Sequence, residues 1–443
     1  MKKAQMIVVA AALMAAAGPV VQAAEEGGDG PVLTLEQALS QARKRNKSLI
    51  AERARVLQAQ ASVDQGWSAL FPTIAAQGKY AHNNKEFKFG RPIMNEMGVT
   101  TGVQNLTIQP KDQLDGAINA TVPLLVLAAY PALNAVKTAE QAAQANFDVS
   151  ESSILLSVAQ LYYAAVISDE VLAARQSNVK VAEATLQNAK VRFQAGTVTK
   201  VDVDRAELAL VRAQQAQREA VFGRQKTYRA LGTLAQQQGP FQVQVPNFPP
   251  EPHDERDLDS ALQLRAEFRA LRLNAESLQS QRNAYAFRWA PSLSAFGSAR
   301  RFNYDNFGGD HYAWAVGAQL DWVLFDGGTR DAQRRLAAAQ ADEATARAEV
   351  LRDSIRDDLA DGRRNLETKQ QGVSVAERSV ELAKETLGLV RVQYEAGTVT
   401  QVDLLQAQDQ LVASQEALAQ SHFDLASADL ALRHAAGTFP PKQ

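Results

Sequence analysis

The sequence predicts a mainly α-helical protein with a small membrane β-barrel part, built as two tandem copies of one structural unit. Three observations predict it. An eight-residue stretch occurs twice, AGTVTKVD from Ala195 to Asp202 and AGTVTQVD from Ala396 to Asp403, with seven residues identical at an offset of 201. Long runs with the apolar spacing of a coiled-coil seam lead into each copy. In each half this helical period gives way to alternation with a period of two, the mark of a strand.

The seams run in step. Ile154, Val158, Leu161, Ala165, Ser168, Leu172, Arg175, Val179, Ala182, Leu186, Ala189 and Phe193 lead to the first motif. Ile355, Leu359, Gly362, Leu366, Lys369, Val373, Ala376, Val380, Ala383, Leu387, Val390 and Tyr394 lead to the second at the same offset, without a gap. Downstream, Ala206, Leu210, Val211 and Gln214 match Ala407, Leu411, Val412 and Gln415. Each motif is therefore the tip of a long helical hairpin. The Gly supplies positive φ after the incoming helix, Thr199 or Thr400 caps the outgoing one, and Asp202 or Asp403 in its first turn suits the helix dipole.

The chain begins as a secretory signal, residues 1–23. Lys2 and Lys3 precede an apolar run from Met6 to Ala17, and Val21-Gln22-Ala23 marks the expected cleavage site. The run is shorter than the roughly 20 residues of a spanning helix. No later stretch reaches 18 uninterrupted apolar residues, so entry into a membrane is expected through strands.

The first repeat covers residues 24–238. After a polar start, Thr34 caps a helical pattern from Glu36 to Leu70 that is expected to bend near Asn46-Lys47-Ser48, and Pro72 ends it. Strands follow at about 73–82 and 115–125, with Ile74, Ala76, Gly78, Tyr80, Ile118, Ala120, Val122 and Leu124 alternating with polar or small residues. Between them, Asn83 to Gln113 reads as a long polar loop holding Phe87, Phe89, Met94 and Met97. Residues 239–257 form a Pro-rich linker that cannot be helical.

The second repeat covers residues 258–443. Its helix restarts near Asp259-Ser260 and is expected to run to Trp289, with Pro291 in the place of Pro72. Strands are expected at about 292–302 and 312–325. Tyr312, Trp314, Val316, Ala318, Leu320, Trp322 and Leu324 share one face of the last strand, opposite Ala313, Ala315, Gly317, Gln319 and Asp321; in its neighbour, Phe296 breaks the pattern. An apolar face with aromatics toward its ends, backed by small and polar residues, fits a barrel strand with lipid outside and water inside.

Composition narrows the function. The 443 residues include no Cys, which excludes disulfides, thiolate metal sites and Cys nucleophiles. A formal charge of −2 offers no field for nucleic acid. His82, His253, His311, His422 and His434 are scattered, and no HExxH, GxSxG or phosphate-binding loop is present, so neither an enzyme nor a cofactor is expected. The pairs Asp357-Asp358 and Asp202 with Asp204 read as solvated helix faces, and Met94 with Met97 as loop residues rather than a soft-metal site.

Four strands cannot close a barrel, and an open edge in lipid leaves each unpaired backbone group at a cost of several kcal/mol. Other copies must complete it, and three copies give about 12 strands. The long helices, each over 60 residues, reach on the order of 90 to 100 Å, far beyond a bilayer. Ala-rich and seamed on more than one side, they are expected to pack into a closed cylinder.

The doubled half, the two tips and the strand ending Trp322-Val323-Leu324-Phe325-Asp326-Gly327-Gly328 resemble the TolC family of outer-membrane efflux ducts over essentially the whole mature chain. The resemblance implies a homotrimer whose 12-stranded barrel in outer-membrane lipid continues as an α-helical barrel across the periplasm. It also implies docking with a periplasmic adaptor and an inner-membrane pump, and residue roles at the entrance. There Tyr394 matches a tyrosine that holds the aperture closed, Asp202 its partner, and Asp403 an aspartate ring. Two positions depart from the pattern: Val399 stands in place of an arginine and Gln406 in place of a second aspartate. Three symmetry-related copies of Asp403 near one axis would attract cations and raise proton affinity. Gly196, Thr197, Val198, Gly397, Thr398 and Val399 become candidate adaptor contacts. A periplasmic coiled-coil scaffold or adaptor is the alternative; the strand pairs set it apart.

Overall fold

The computed structural model describes residues 30–245, 257–305 and 310–440. The expected signal segment and the centre of the linker lie outside them.

In chain order the elements are β1 (Val32–Leu33), α1 (Leu35–Arg45), α2 (Lys47–Ser68), β2 (Thr73–His82), β3 (Phe87–Met94), β4 (Thr100–Gln109), β5 (Asp112–Leu125), α3 (Ala129–Gln194) and α4 (Lys200–Ala235). The second half adds β6 (Gln242–Val243), α5 (Leu258–Leu264), α6 (Ala266–Phe287), β7 (Ser292–Phe302), β8 (Tyr312–Asp321), α7 (Thr329–Glu395) and α8 (Gln401–Ala435).

The bend expected near Asn46 is a full break. Asn46 leaves helical backbone and caps α2, its Oδ1 accepting from Ser48 N at 2.9 Å while its Nδ2 donates to Leu234 O. The second half, expected as one helix, breaks at Arg265, which is buried and paired with Glu267 and Asp358. A helical backbone at either residue would withdraw these polar groups from their partners.

Four strands form one antiparallel sheet in the order β2-β5-β7-β8. Its register places Ile74 opposite Ala120, Ala120 opposite Gly297 and Gly297 opposite Val316, so one apolar face runs unbroken across both repeats. That face is open: Val316 is 73% exposed and Trp314 63%. The exception at Phe296 has a local cause. Its ring lies over Gly317 on β8, where a Cβ would come within 2.9 Å of it. The strand β8 ends at Asp321, short of the expected 325, because Asp321 already pairs with Ser292, the first residue of β7.

The expected loop at 83–113 is instead an extended hairpin, β3 with β4. It is tied to the turn after β7 by Thr107 N donating to Asp305 Oδ2 and Asp305 N donating to Thr107 O. Its Gly, Pro and exposed apolar residues masked the alternation on which strand reading depends. Part of the linker also forms a strand, since β6 pairs in parallel with β1. The Tyr162 hydroxyl, buried on α3, sits 3.0 Å from Leu33 O and 2.7 Å from Gln244 O, and burial pushes its pKa up to about 12.

The helices α3 and α7, 66 and 67 residues long, reach about 100 Å each. Their seams are the buried ones. Val158, Ala165, Val179, Ala182, Leu186 and Ala189 are covered on α3, and Ile355, Leu359, Ala376, Val380 and Ala383 on α7. The charged seam residues make cross-helix ion pairs, Arg175 with Glu416 and Lys369 with Asp424. One stretch of α3 is long and apolar enough to cross a membrane by composition, but this helix packs against α2, α4, α6 and α8.

Candidate functional site at the hairpin tips

Turn chemistry explains the repeated motif residue by residue. At the end of α3, Gly196 takes φ +74°, and both Thr197 N and Thr197 Oγ1 donate to Arg192 O at 3.0 Å. At the end of α7, Gly397 takes φ +78°, and Thr398 N and Oγ1 donate to Gln393 O at 2.9 and 3.0 Å. These bonds satisfy carbonyls that a helix end leaves free. The outgoing helices start alike. Thr199 N and Oγ1 donate to Asp202 Oδ2 at 3.0 and 2.8 Å, and Thr400 N and Oγ1 to Asp403 Oδ2 at 2.8 and 2.6 Å. The Asp403 pKa is also lowered, chiefly because the Thr400 hydroxyl and then its backbone N–H donate to the charged form.

Gly196, Thr197, Gly397 and Thr398 are exposed at the tips, while Val198 and Val399 are half-buried. Asp403 and Gln406 are exposed on the first turns of α8. Tyr394 is buried, at 7% exposure. Within one copy, Tyr394 and Asp202 have separate partners. Asp202 faces its own cap and Arg205 at 3.7 Å. Tyr394 is held by Arg192, a residue absent from the sequence reading. The Arg192 guanidinium lies 4.7 Å from the centre of the Tyr394 ring, its Nη1 donates to Tyr394 O at 3.3 Å and its Nη2 to Glu395 O at 3.5 Å. A signal for it was present, because the offset that aligns the repeats puts Arg192-Phe193 opposite Gln393-Tyr394, a change of chemistry inside otherwise matching helix ends.

One further feature marks the second tip. The Gln401 side chain is buried, and neither amide atom has a hydrogen-bond partner among the described residues. Leaving such a group unsatisfied costs about 1–3 kcal/mol.

The architecture and tips agree with the comparisons. A family model described as outer membrane efflux protein matches residues 38–236 and 258–438. The chain belongs to this family. The first matched stretch runs from within α1 to the end of α4, and the second from the start of α5 to just past α8. Among relatives, the chain is 24% identical over 339 residues to the outer membrane efflux protein BepC of Brucella suis biovar 1 (strain 1330), covering 74% of this chain and 73% of that one. The fold is similar to the CmeC outer membrane channel of Campylobacter jejuni, with a TM-score of 0.76 at 17% identity over 91% of this chain and 85% of that one. It is also similar to the outer membrane protein VceC of Vibrio cholerae, with a TM-score of 0.74 at 20% identity over 91% and 96% of the two chains. As an outer membrane efflux protein the chain is placed in the outer membrane and extends into the periplasm, and its function is that of an efflux channel.

Proposed function

We propose that this efflux protein works as a homotrimeric duct, entered at the helical tips, that receives substrates from a periplasmic adaptor and an inner-membrane pump. The observation that carries the reading is the four-stranded sheet. Among the described residues, strands β2 and β8 each have one edge unpaired, and the sheet face that carries Ile74, Ala120 and Val316 is apolar and exposed. Pairing β8 of one copy with β2 of the next satisfies the backbone groups that lipid would leave bare. Three copies supply about 12 strands. The same closure sets the long helices side by side around a water-filled space that reaches about 100 Å from the sheet.

At the entrance the proposed roles are these. Tyr394, with Asp202 in reach of a neighbouring tip, narrows the aperture. Asp403 presents three carboxylates around the axis, and Gln406, one turn further along α8, extends the polar ring without adding charge. Gly196, Thr197, Val198, Gly397, Thr398 and Val399 form the surface that meets the adaptor. A photo-crosslinking residue at Val198 or Val399, in cells that co-express the adaptor, tests the docking. Covalent products with the adaptor from the tip positions, and none from mid-helix positions, are expected. No product from either tip would contradict the reading.

A further inference from the structure

Further up, the two hairpins of one copy are joined by Arg175 with Glu416 and by Gln408 Nε2 donating to Thr185 Oγ1 at 3.1 Å, and at the ends of α3 and α7 one side chain reaches across. Arg192 leaves the last turn of α3 and reaches the end of α7, where it stacks on the Tyr394 ring and donates to the carbonyls of Tyr394 and Glu395. The Glu395 carboxylate is engaged on its own helix by Arg391 at 3.5 Å, so the contact from Arg192 goes to backbone and ring. Hydrogen bonds from a charged donor are roughly twice as strong as neutral ones, and the two carbonyls lie at a helix C-terminus, where the dipole favours a cation; Tyr394 O also accepts from Gly397 N at 3.1 Å.

The repeat makes this tie one-sided. The offset of 201 carries Arg192 onto Gln393 and Phe193 onto Tyr394. In a closed ring of three copies, six tips alternate, and seams within a copy alternate with seams between copies. The seam within a copy holds Arg192 against Tyr394. The equivalent seam between copies would hold Gln393 against Phe193 of the partner subunit, which offers neither a cation nor a phenol. Phe193 is accordingly exposed in the single copy, whereas Tyr394 is covered.

We propose that Arg192 fastens the two tips of each copy into one unit, and that the entrance opens along the three seams between copies. The proposal rests on the trimeric duct reading and assigns it a hinge pattern. The full-length chain has no native Cys, so Gln194→Cys with Glu395→Cys, equivalent positions in the last turns of α3 and α7, accept two spin labels per copy. Labelled copies diluted among unlabelled ones report the distance within a copy. That distance should be narrowly distributed with Arg192 present, broadened in Arg192→Ala and intermediate in Arg192→Lys, whose single ammonium cannot serve both carbonyls and the ring. In planar bilayers Arg192→Ala should raise single-channel conductance severalfold. Gln393→Arg with Phe193→Tyr, which adds the missing tie at the other three seams, should lower it below wild type. An unchanged distance distribution in Arg192→Ala overturns the fastening, and a conducting wild type with no response to Gln393→Arg and Phe193→Tyr overturns the choice of seam. A wild type that never conducts counts against the duct itself, while the distances still decide the role of Arg192.

Discussion

Asp403 carries two demands at once. Its Oδ2 accepts both the N–H and the hydroxyl of Thr400, which starts α8, and in the proposed trimer its charge would contribute to the ring at the entrance. The lowered pKa means that the cap is fully present above the ordinary carboxylate value of 3.8 and is lost only as pH falls through the lower folded value. Repulsion among three copies in a ring acts in the opposite direction, so titration of the assembled channel measures which influence is larger. Asp403→Asn keeps a side-chain oxygen for the Thr400 N–H while removing the charge. Block of the open channel by divalent cations is expected to weaken at least severalfold, with helix content unchanged by circular dichroism. Equal block in the variant would show that the carboxylate does no more than start the helix. Thr400→Ala separates the roles from the other side: it should cost about 1 kcal/mol of local helix stability, seen as faster amide exchange in the first turn of α8, with cation block retained.

At the scale of elements, much of the molecule was legible because period and spacing are physical quantities. The seam through Val158 and Leu359, the caps at Thr34, Thr199 and Thr400, and the alternation in β2, β5 and β8 all read directly from side-chain spacing. What escaped depended on partners distant in sequence. The break at Arg265 answers to Asp358 on α7, and β6 exists because β1 lies beside it. Arg192 escaped because the ring and carbonyl it holds, those of Tyr394, lie 202 residues away. The apparent misfit at Phe296 is likewise a pair, completed by Gly317. Gly317→Val should therefore force the Phe296 ring off β8 and disturb the sheet, costing about 1–3 kcal/mol. The expected outcome is loss of heat-resistant assembled protein from outer-membrane extracts, recovered in the double variant with Phe296→Ala. Wild-type heat resistance in the single variant would show that the ring has room elsewhere.

On the scale of the whole molecule, the fold of one copy is unfinished in two ways that have one remedy. Among the described residues the sheet has two free edges, and both long hairpins expose apolar side chains, Val191 and Val211 on the first and Val375 and Val392 on the second. In the proposed trimer, side-by-side closure of identical copies would join the edges and bury those side chains in the same step. Strand number and helix number then follow from the copy number, so stoichiometry is the quantity on which membrane insertion, the length of the duct and the six-tip entrance all depend. The most direct measurement is the mass of the protein extracted from outer membranes in mild detergent, taken by native mass spectrometry after the detergent is stripped. The account predicts one species at three times the mass of the processed chain; a monomer, or a water-soluble protein that leaves the membrane without detergent, would contradict it.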